Sequence, residues 1–169
     1  MLLNKEQVIS FLPHRDPFLF IDSIKSIELA QKLDEQAEPI LDVKRLVGST
    51  VVGIFNCHED LIHLKGHFPG EPILPGVLQI EMMAQNGAFL ALGLIPLSKF
   101  NLYKVHTKLV AVDRVKFRKG IVPPMEITIE TKLISSRGTF NSYQAKIYND
   151  KIGIISEAEF MASVLLAKK

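Results

Sequence analysis

The chain has 169 residues, 47% of them hydrophobic and 22% charged, with a formal net charge of +2. That size suits one domain with a real core, and so small a charge does not argue for nucleic acid as a partner. A single cysteine, Cys57, excludes an intramolecular disulfide framework and suits a reducing compartment.

In chain order, the opening MLLNKEQVISFLPH has no long apolar run and is interrupted early by Lys5 and Glu6, so no signal peptide is expected. Asn4 followed by Gln7 has capping-box spacing and predicts a short helix from Asn4 to Phe11, ended by Pro13. Phe18 to Ile27 reads as a strand entering the core. Glu28 to Leu46 is polar, with Leu29, Leu33 and Ala37 at helical spacing and a break at Pro39. It predicts a short helix and loop on the surface. Val47 to Phe55 returns to strand character.

The stretch from Gly66 to Gly93, GHFPGEPILPGVLQIEMMAQNGAFLALG, organises the rest. Its first half is a loop punctuated by Gly and Pro. Its second half is a helix pattern with Pro75 in the first turn and Gly93 as the stop. From Val77 to Leu92 the residues are apolar on nearly every face, which predicts a buried helix. Glu81, Gln85 and Asn86 interrupt the run, so a core helix is expected and no membrane span.

Glu81 is the one ionisable residue of that helix. Burial would raise its carboxyl pKa, and a carboxylic acid kept neutral can donate a proton. Helical periodicity puts Val77, Glu81, Gln85 and Ala88 on one stripe. The Gly76 N–H, in the first turn, has no intrahelical partner and suits an oxygen that gains negative charge. Gly76 to Glu81 spans roughly 7 Å along the axis. With His67 just upstream, base, acid and oxyanion donor all fall within one segment.

After the helix, Leu102–Phe117, Met125–Ser135, Thr139–Tyr148 and Ile152–Leu166 read as long strands. Ile127, Ile129, Thr131 and Leu133 alternate with Thr128, Glu130 and Lys132. Phe160, Ala162 and Val164 are expected to continue the face of Ile154, Ser156 and Ala158. Ser136-Arg137-Gly138 and Asn149-Asp150 are turn signals, so these strands form an antiparallel meander. Residues 1–169 are expected to be a single α+β domain, a curved antiparallel sheet wrapped around one helix. A helix apolar all round needs cover on more than one side, which a dimer extending the sheet would supply.

Gly66-His67-Phe68-Pro69-Gly70, Pro72, Leu74-Pro75-Gly76-Val77-Leu78, Glu81, Met83, Ala84 and Gln85 closely resemble the 3-hydroxyacyl-[acyl-carrier-protein] dehydratases, and more narrowly the hydroxymyristoyl type of fatty-acid and lipid A synthesis. Leu12-Pro13-His14-Arg15, Pro17-Phe18-Leu19 with Ile21-Asp22, and Val115-Lys116-Phe117-Arg118-Lys119 extend the resemblance over most of the chain. It implies a hotdog fold, a cytoplasmic enzyme, and a homodimer that can associate into a hexamer as a trimer of dimers. It implies a site at the dimer interface with His67 from one chain and Glu81 from the other. His67 would be the base and Glu81 the acid, with Gly76, Val77 and Gln85 as substrate-binding or supporting residues. Glu at position 81 resembles the type that dehydrates without isomerising the double bond. The substrate would arrive on the phosphopantetheine arm of an acyl carrier protein, and no metal or other cofactor is implied. Asp16, His63-Leu64-Lys65 and the segment Glu28–Leu46 depart from the family pattern, bearing on chain-length preference and the mouth of the site.

Plainer readings stand beside these. Glu81 alone would suit an ion pair across an interface. His67 alone would suit a loop histidine bonded to backbone. Gln85 would suit a residue that only satisfies a buried backbone group. Cys57, His58, His63 and His67 are zinc-ligand types in no common zinc spacing, so metal is not expected. His14 and Arg15 are expected to tie the N-terminal segment to the sheet, and His106 to be structural or exposed. Lys116, Arg118 and Lys119 read as a solvated strand end, to which an acidic carrier would give a docking task. The alternatives in function are a hotdog acyl thioesterase and a non-catalytic acyl-binding subunit.

Overall fold

A computed structural model of the protein describes residues 1–31, 39 and 42–169. Helix α1, Lys5–Phe11, opens on the expected capping box, with Asn4 Oδ1 accepting from the Gln7 N–H and Gln7 Oε1 accepting from the Asn4 N–H. Its apolar residues Val8 and Phe11 are buried. Asp22 takes hydrogen bonds from Lys5 Nζ (2.7 Å) and from the Asn56 N–H (2.8 Å), which ties α1 to the sheet.

The strands are β1 Ser23–Glu28, β2 Thr50–Cys57, β3 Tyr103–Phe117, β4 Met125–Arg137, β5 Phe140–Asn149 and β6 Gly153–Lys168. They form one six-stranded antiparallel sheet in the order β1-β2-β4-β5-β6-β3. Helix α2, Gly76–Ala88, lies against β2, β3, β4, β5 and β6. The α+β expectation holds, and the arrangement is the hotdog fold. The strand alternation also holds on β4, where Ile127, Ile129, Thr131 and Leu133 are all fully buried.

Four local expectations are corrected. Phe18–Asp22 is not strand, because its backbone is engaged by a side chain of α2 and the ladder starts only at Ser23. Pro75 is the residue capping α2, one position before the first turn. Gly93 does not stop the helix: α2 ends at Ala88 and tightens into a 3₁₀ turn, Phe89–Leu94. Gly93 is needed for space, since a Cβ there would come within 2.5 Å of Leu29 Cδ2 and 2.7 Å of Leu46 Cδ2. On β6, Ile154 is exposed and Ile155 is buried, because a register shift near Tyr148 turns the strand over before Ser156. The Glu28–Leu46 helix expectation lies in part outside the described residues; Glu28 ends β1, and Val43–Leu46 is a 3₁₀ turn.

One buried polar residue fastens helix to sheet. The two N–H groups of Asn86 Nδ2 are shared among Val51 O (3.2 Å), Ile129 O (3.0 Å) and Thr131 Oγ1 (3.1 Å), so a single α2 side chain bridges β2 and β4. The space for it comes from Gly53, where a Cβ would lie 2.3 Å from Asn86 Oδ1.

Candidate active site

The loop before α2 is closed on itself. The Ile73 N–H donates to His67 O (2.9 Å), and Phe68 and Glu71 exchange backbone hydrogen bonds. The Leu74 N–H donates to Ile121 O (2.9 Å), which pins the loop to the segment following β3. Within this frame His67 Nδ1 lies 2.7 Å from Ile73 O. A carbonyl only accepts, so Nδ1 carries the hydrogen and a neutral His67 keeps a lone pair on Nε2. The ring also stacks on Phe68, with centroids 4.2 Å apart.

His67 lines a cleft of about 520 Å³ with Ile73, Gly76, Val77, Phe117 and Lys119 among its walls. Gly76 lies at the start of α2, where N–H groups lack intrahelical acceptors and the helix dipole favours negative charge. The ring of Phe117 covers it so closely that a Cβ on Gly76 would meet Cζ at 2.9 Å. Val77 projects outward and is 71% exposed within the chain. The His67 imidazole, the first residue of α2 and an open mouth therefore share one cleft.

Glu81 lies elsewhere. Its side chain, on a helix expected to be buried, is 21% exposed and has two partners. Gln85 Nε2 donates to Glu81 Oε1 at 2.9 Å, and His14 Nε2 lies 3.3 Å from the same oxygen. Gln85 is itself fixed: its Oε1 accepts from the Phe20 N–H (2.9 Å) and its Nε2 also donates to Phe18 O (2.9 Å). It thus satisfies buried backbone and holds the carboxyl at once. No hydrogen bond or ion pair joins His67 to Glu81 within the chain.

His14, expected to tie the N-terminal segment to the sheet, reaches the carboxyl of α2. The signal was its place in the Leu12-Pro13-His14-Arg15 block, where a helix end aims the following side chains; nothing in that spacing indicates Glu81. His106 is exposed on β3. Of the basic cluster, Arg118 is engaged by Glu157 and Lys119 by the carbonyl of Ile152. Lys116 is exposed on the outer face of the sheet. Burial pushes the Cys57 thiol up to about 11. Among the described residues no group of three or more His, Cys, Asp or Glu side chains converges on one point.

Known proteins agree with this architecture. The model of the ApeI-like family, described as ApeI dehydratase, matches residues 44–153. The 3-hydroxyacyl-[acyl-carrier-protein] dehydratase FabZ of Syntrophobacter fumaroxidans is 32% identical over 96% of this chain and 94% of its own length. That of Helicobacter hepaticus is 34% identical over 99% of this chain and 93% of its own. Among solved structures, the dehydratase heterocomplex ApeI:P from Xenorhabdus doucetiae superposes with a TM-score of 0.65 at 15% identity, over 92% of this chain and 89% of that one. A hypothetical thioesterase with coenzyme A from Streptococcus pneumoniae gives 0.53 at 12% identity, over 86% and 90%, which is likeness of fold alone. Sustained identity across almost the whole of both chains decides the matter: the chain belongs to the 3-hydroxyacyl-[acyl-carrier-protein] dehydratase family, a family of hydro-lyases.

Proposed function

We propose that the protein removes water from 3-hydroxyacyl thioesters carried on acyl carrier protein, giving trans-2-enoyl thioesters for fatty acid and lipid A synthesis in the cytoplasm. The observation that carries this reading is the state of His67. Its Nδ1–H is committed to Ile73 O, so Nε2 is an available base in a cleft shared with Gly76. His67 takes a proton from C2. The thioester oxygen gains charge, which the Gly76 N–H and the α2 dipole stabilise. The C2–H electron pair forms the C2=C3 bond, the C3–O bond breaks, and protonated Glu81 supplies the proton with which the hydroxyl leaves as water. These steps call on no metal or other cofactor; the phosphopantetheine belongs to the carrier.

The acid is proposed to come from a second copy of the chain. Two observations support this. The chain keeps Glu81 apart from the His67 cleft, with His14 and Gln85. In addition, β3 is a 15-residue edge strand with Leu109, Val110 and Val112 exposed, a long apolar edge of the kind that pairs with another strand. Joined through β3, two copies would form one continuous sheet carrying two mixed sites, and such dimers could assemble further into a hexamer. Arg118 and Lys119 line the cleft, Lys116 lies two residues before them on the outer face of the sheet, and the three are proposed to meet the acidic carrier. With Arg118 and Lys119 already bonded internally, Lys116 is the freer of the three.

The test is subunit exchange. His67→Ala and Glu81→Gln homodimers should each be inactive, and mixing them should restore turnover through the one intact site of each heterodimer. Verified exchange without recovery would mean that both residues act from one chain. A simple acyl thioester lacking the 3-hydroxyl should not be consumed; its hydrolysis would point to thioesterase chemistry instead.

A further inference from the structure

Glu81 Oε1 is approached by two nitrogens. The Gln85 amide is oriented without ambiguity, because its oxygen is taken by the Phe20 N–H and its nitrogen therefore faces Phe18 O and Glu81. The second nitrogen is His14 Nε2, at 3.3 Å. The His14 side chain is 20% exposed, and its ring lies beside that of Phe18, centroids 6.5 Å apart. Its carbonyl accepts from Arg15 Nη1, which also bonds Leu12 O, so the turn that presents the ring is tied down. His14 Nδ1 is buried without a partner. A hydrogen on Nδ1 would be an orphaned buried donor and would leave two lone pairs facing each other between Nε2 and Oε1. A hydrogen on Nε2 gives Glu81 Oε1 a donor and leaves on Nδ1 only an unpaired acceptor in place of an orphaned N–H.

We propose that His14 is a positioning residue for the acid: its Nε2–H donates to Glu81 Oε1 and, with Gln85, confines the transferable proton to Oε2. This rests on reading Glu81 as the acid of the dehydration. The Oε2–H bond breaks as the C3 hydroxyl takes the proton, and the carboxylate left behind shares its charge with Oε1. Both N–H bonds to Oε1 then become charge-assisted and stronger. An interaction that strengthens along the reaction acts on kcat and leaves KM alone.

Two measurements test it. In long-range proton–nitrogen spectra of the histidine-labelled protein near neutral pH, His14 is expected to be protonated at Nε2; an unprotonated Nε2 overturns the proposal without any assay of turnover. In steady-state kinetics with 3-hydroxyacyl carrier protein, His14→Ala should lower kcat about 10- to 100-fold with KM within about twofold. His14→Gln, which restores an N–H donor, should recover most of that loss. An unchanged kcat in His14→Ala, or equal loss in both variants, overturns the proposal. Wild-type protein that dehydrates no 3-hydroxyacyl thioester would overturn the acid reading of Glu81 itself, and this role with it, whatever the state of His14.

Discussion

His67 and Gly76 are held by backbone, Glu81 by side chains, and the difference sets what substitutions should do. His67 is fixed by a loop bonded to itself through Ile73. Replacing it by Ala should leave the fold intact and remove the proposed base, lowering kcat by about 10²- to 10⁴-fold. Gly76 admits no Cβ beneath Phe117, but Phe117 is 51% exposed and its ring has room to swing away. Gly76→Ala should therefore fold with little loss of melting temperature while kcat/KM falls about 10- to 100-fold, because the cleft is reshaped. A large drop in melting temperature would show that the glycine serves packing alone. Cys57 behaves as a core residue: with its thiol pushed up to about 11 by burial, almost no thiolate forms at pH 7 to 8. A thiol reagent should leave the native protein unlabelled and titrate one thiol after denaturation. The residue types of the site were legible in the sequence. Their bonds were not, since the pairing of Glu81 with His14 depends on how the turn after α1 folds back onto α2.

At the scale of elements, the periodic segments were read well, and the misreadings fall where side chains replace regular backbone bonding. The β4 alternation is visible in sequence because one face meets the core and the other meets water. The stretch before β1 is as apolar as a strand, with Leu19, Phe20 and Ile21 all buried, yet Gln85 takes the hydrogen-bonding groups that a neighbouring strand would need. The shift that buries Ile155 in place of Ile154 is a ladder irregularity that strict alternation does not anticipate. Asn86 gives the sharpest test of how α2 is seated. Asn86→Ala removes an amide whose two N–H groups serve three acceptors at a fully buried position and should destabilise the fold by about 2–3 kcal/mol in denaturant unfolding. A loss near zero would mean that apolar contact alone seats the helix. The capping box of α1 is exposed and local, so Asn4→Ala should cost only about 1 kcal/mol by the same measurement.

At the scale of the whole molecule, the proposed site is split into two halves that a single chain keeps apart. His67, Gly76 and Val77 open onto one cleft, while Glu81 waits with His14 and Gln85. Periodicity can indicate that a helix is apolar all round, but which surface a second copy covers depends on the free edge left by the sheet order. Here that edge is β3. The basic residues at the end of β3 and just after it belong to this scale as well. Reversal of Lys116 and Arg118 to Glu should raise KM for a carrier-linked substrate several-fold and leave a short pantetheine thioester unaffected. Equal effects on both would trace the change to the broken Arg118–Glu157 pair instead. The most direct test of the whole account is turnover of 3-hydroxyacyl carrier protein by wild type and by Glu81→Gln, which keeps the shape of the side chain and removes its proton. Wild type should release water and form the trans-2-enoyl thioester, and Glu81→Gln should fall by about 10²- to 10⁴-fold. A folded wild type that forms no enoyl product at any acyl length, or a Glu81→Gln that matches it, would contradict the account.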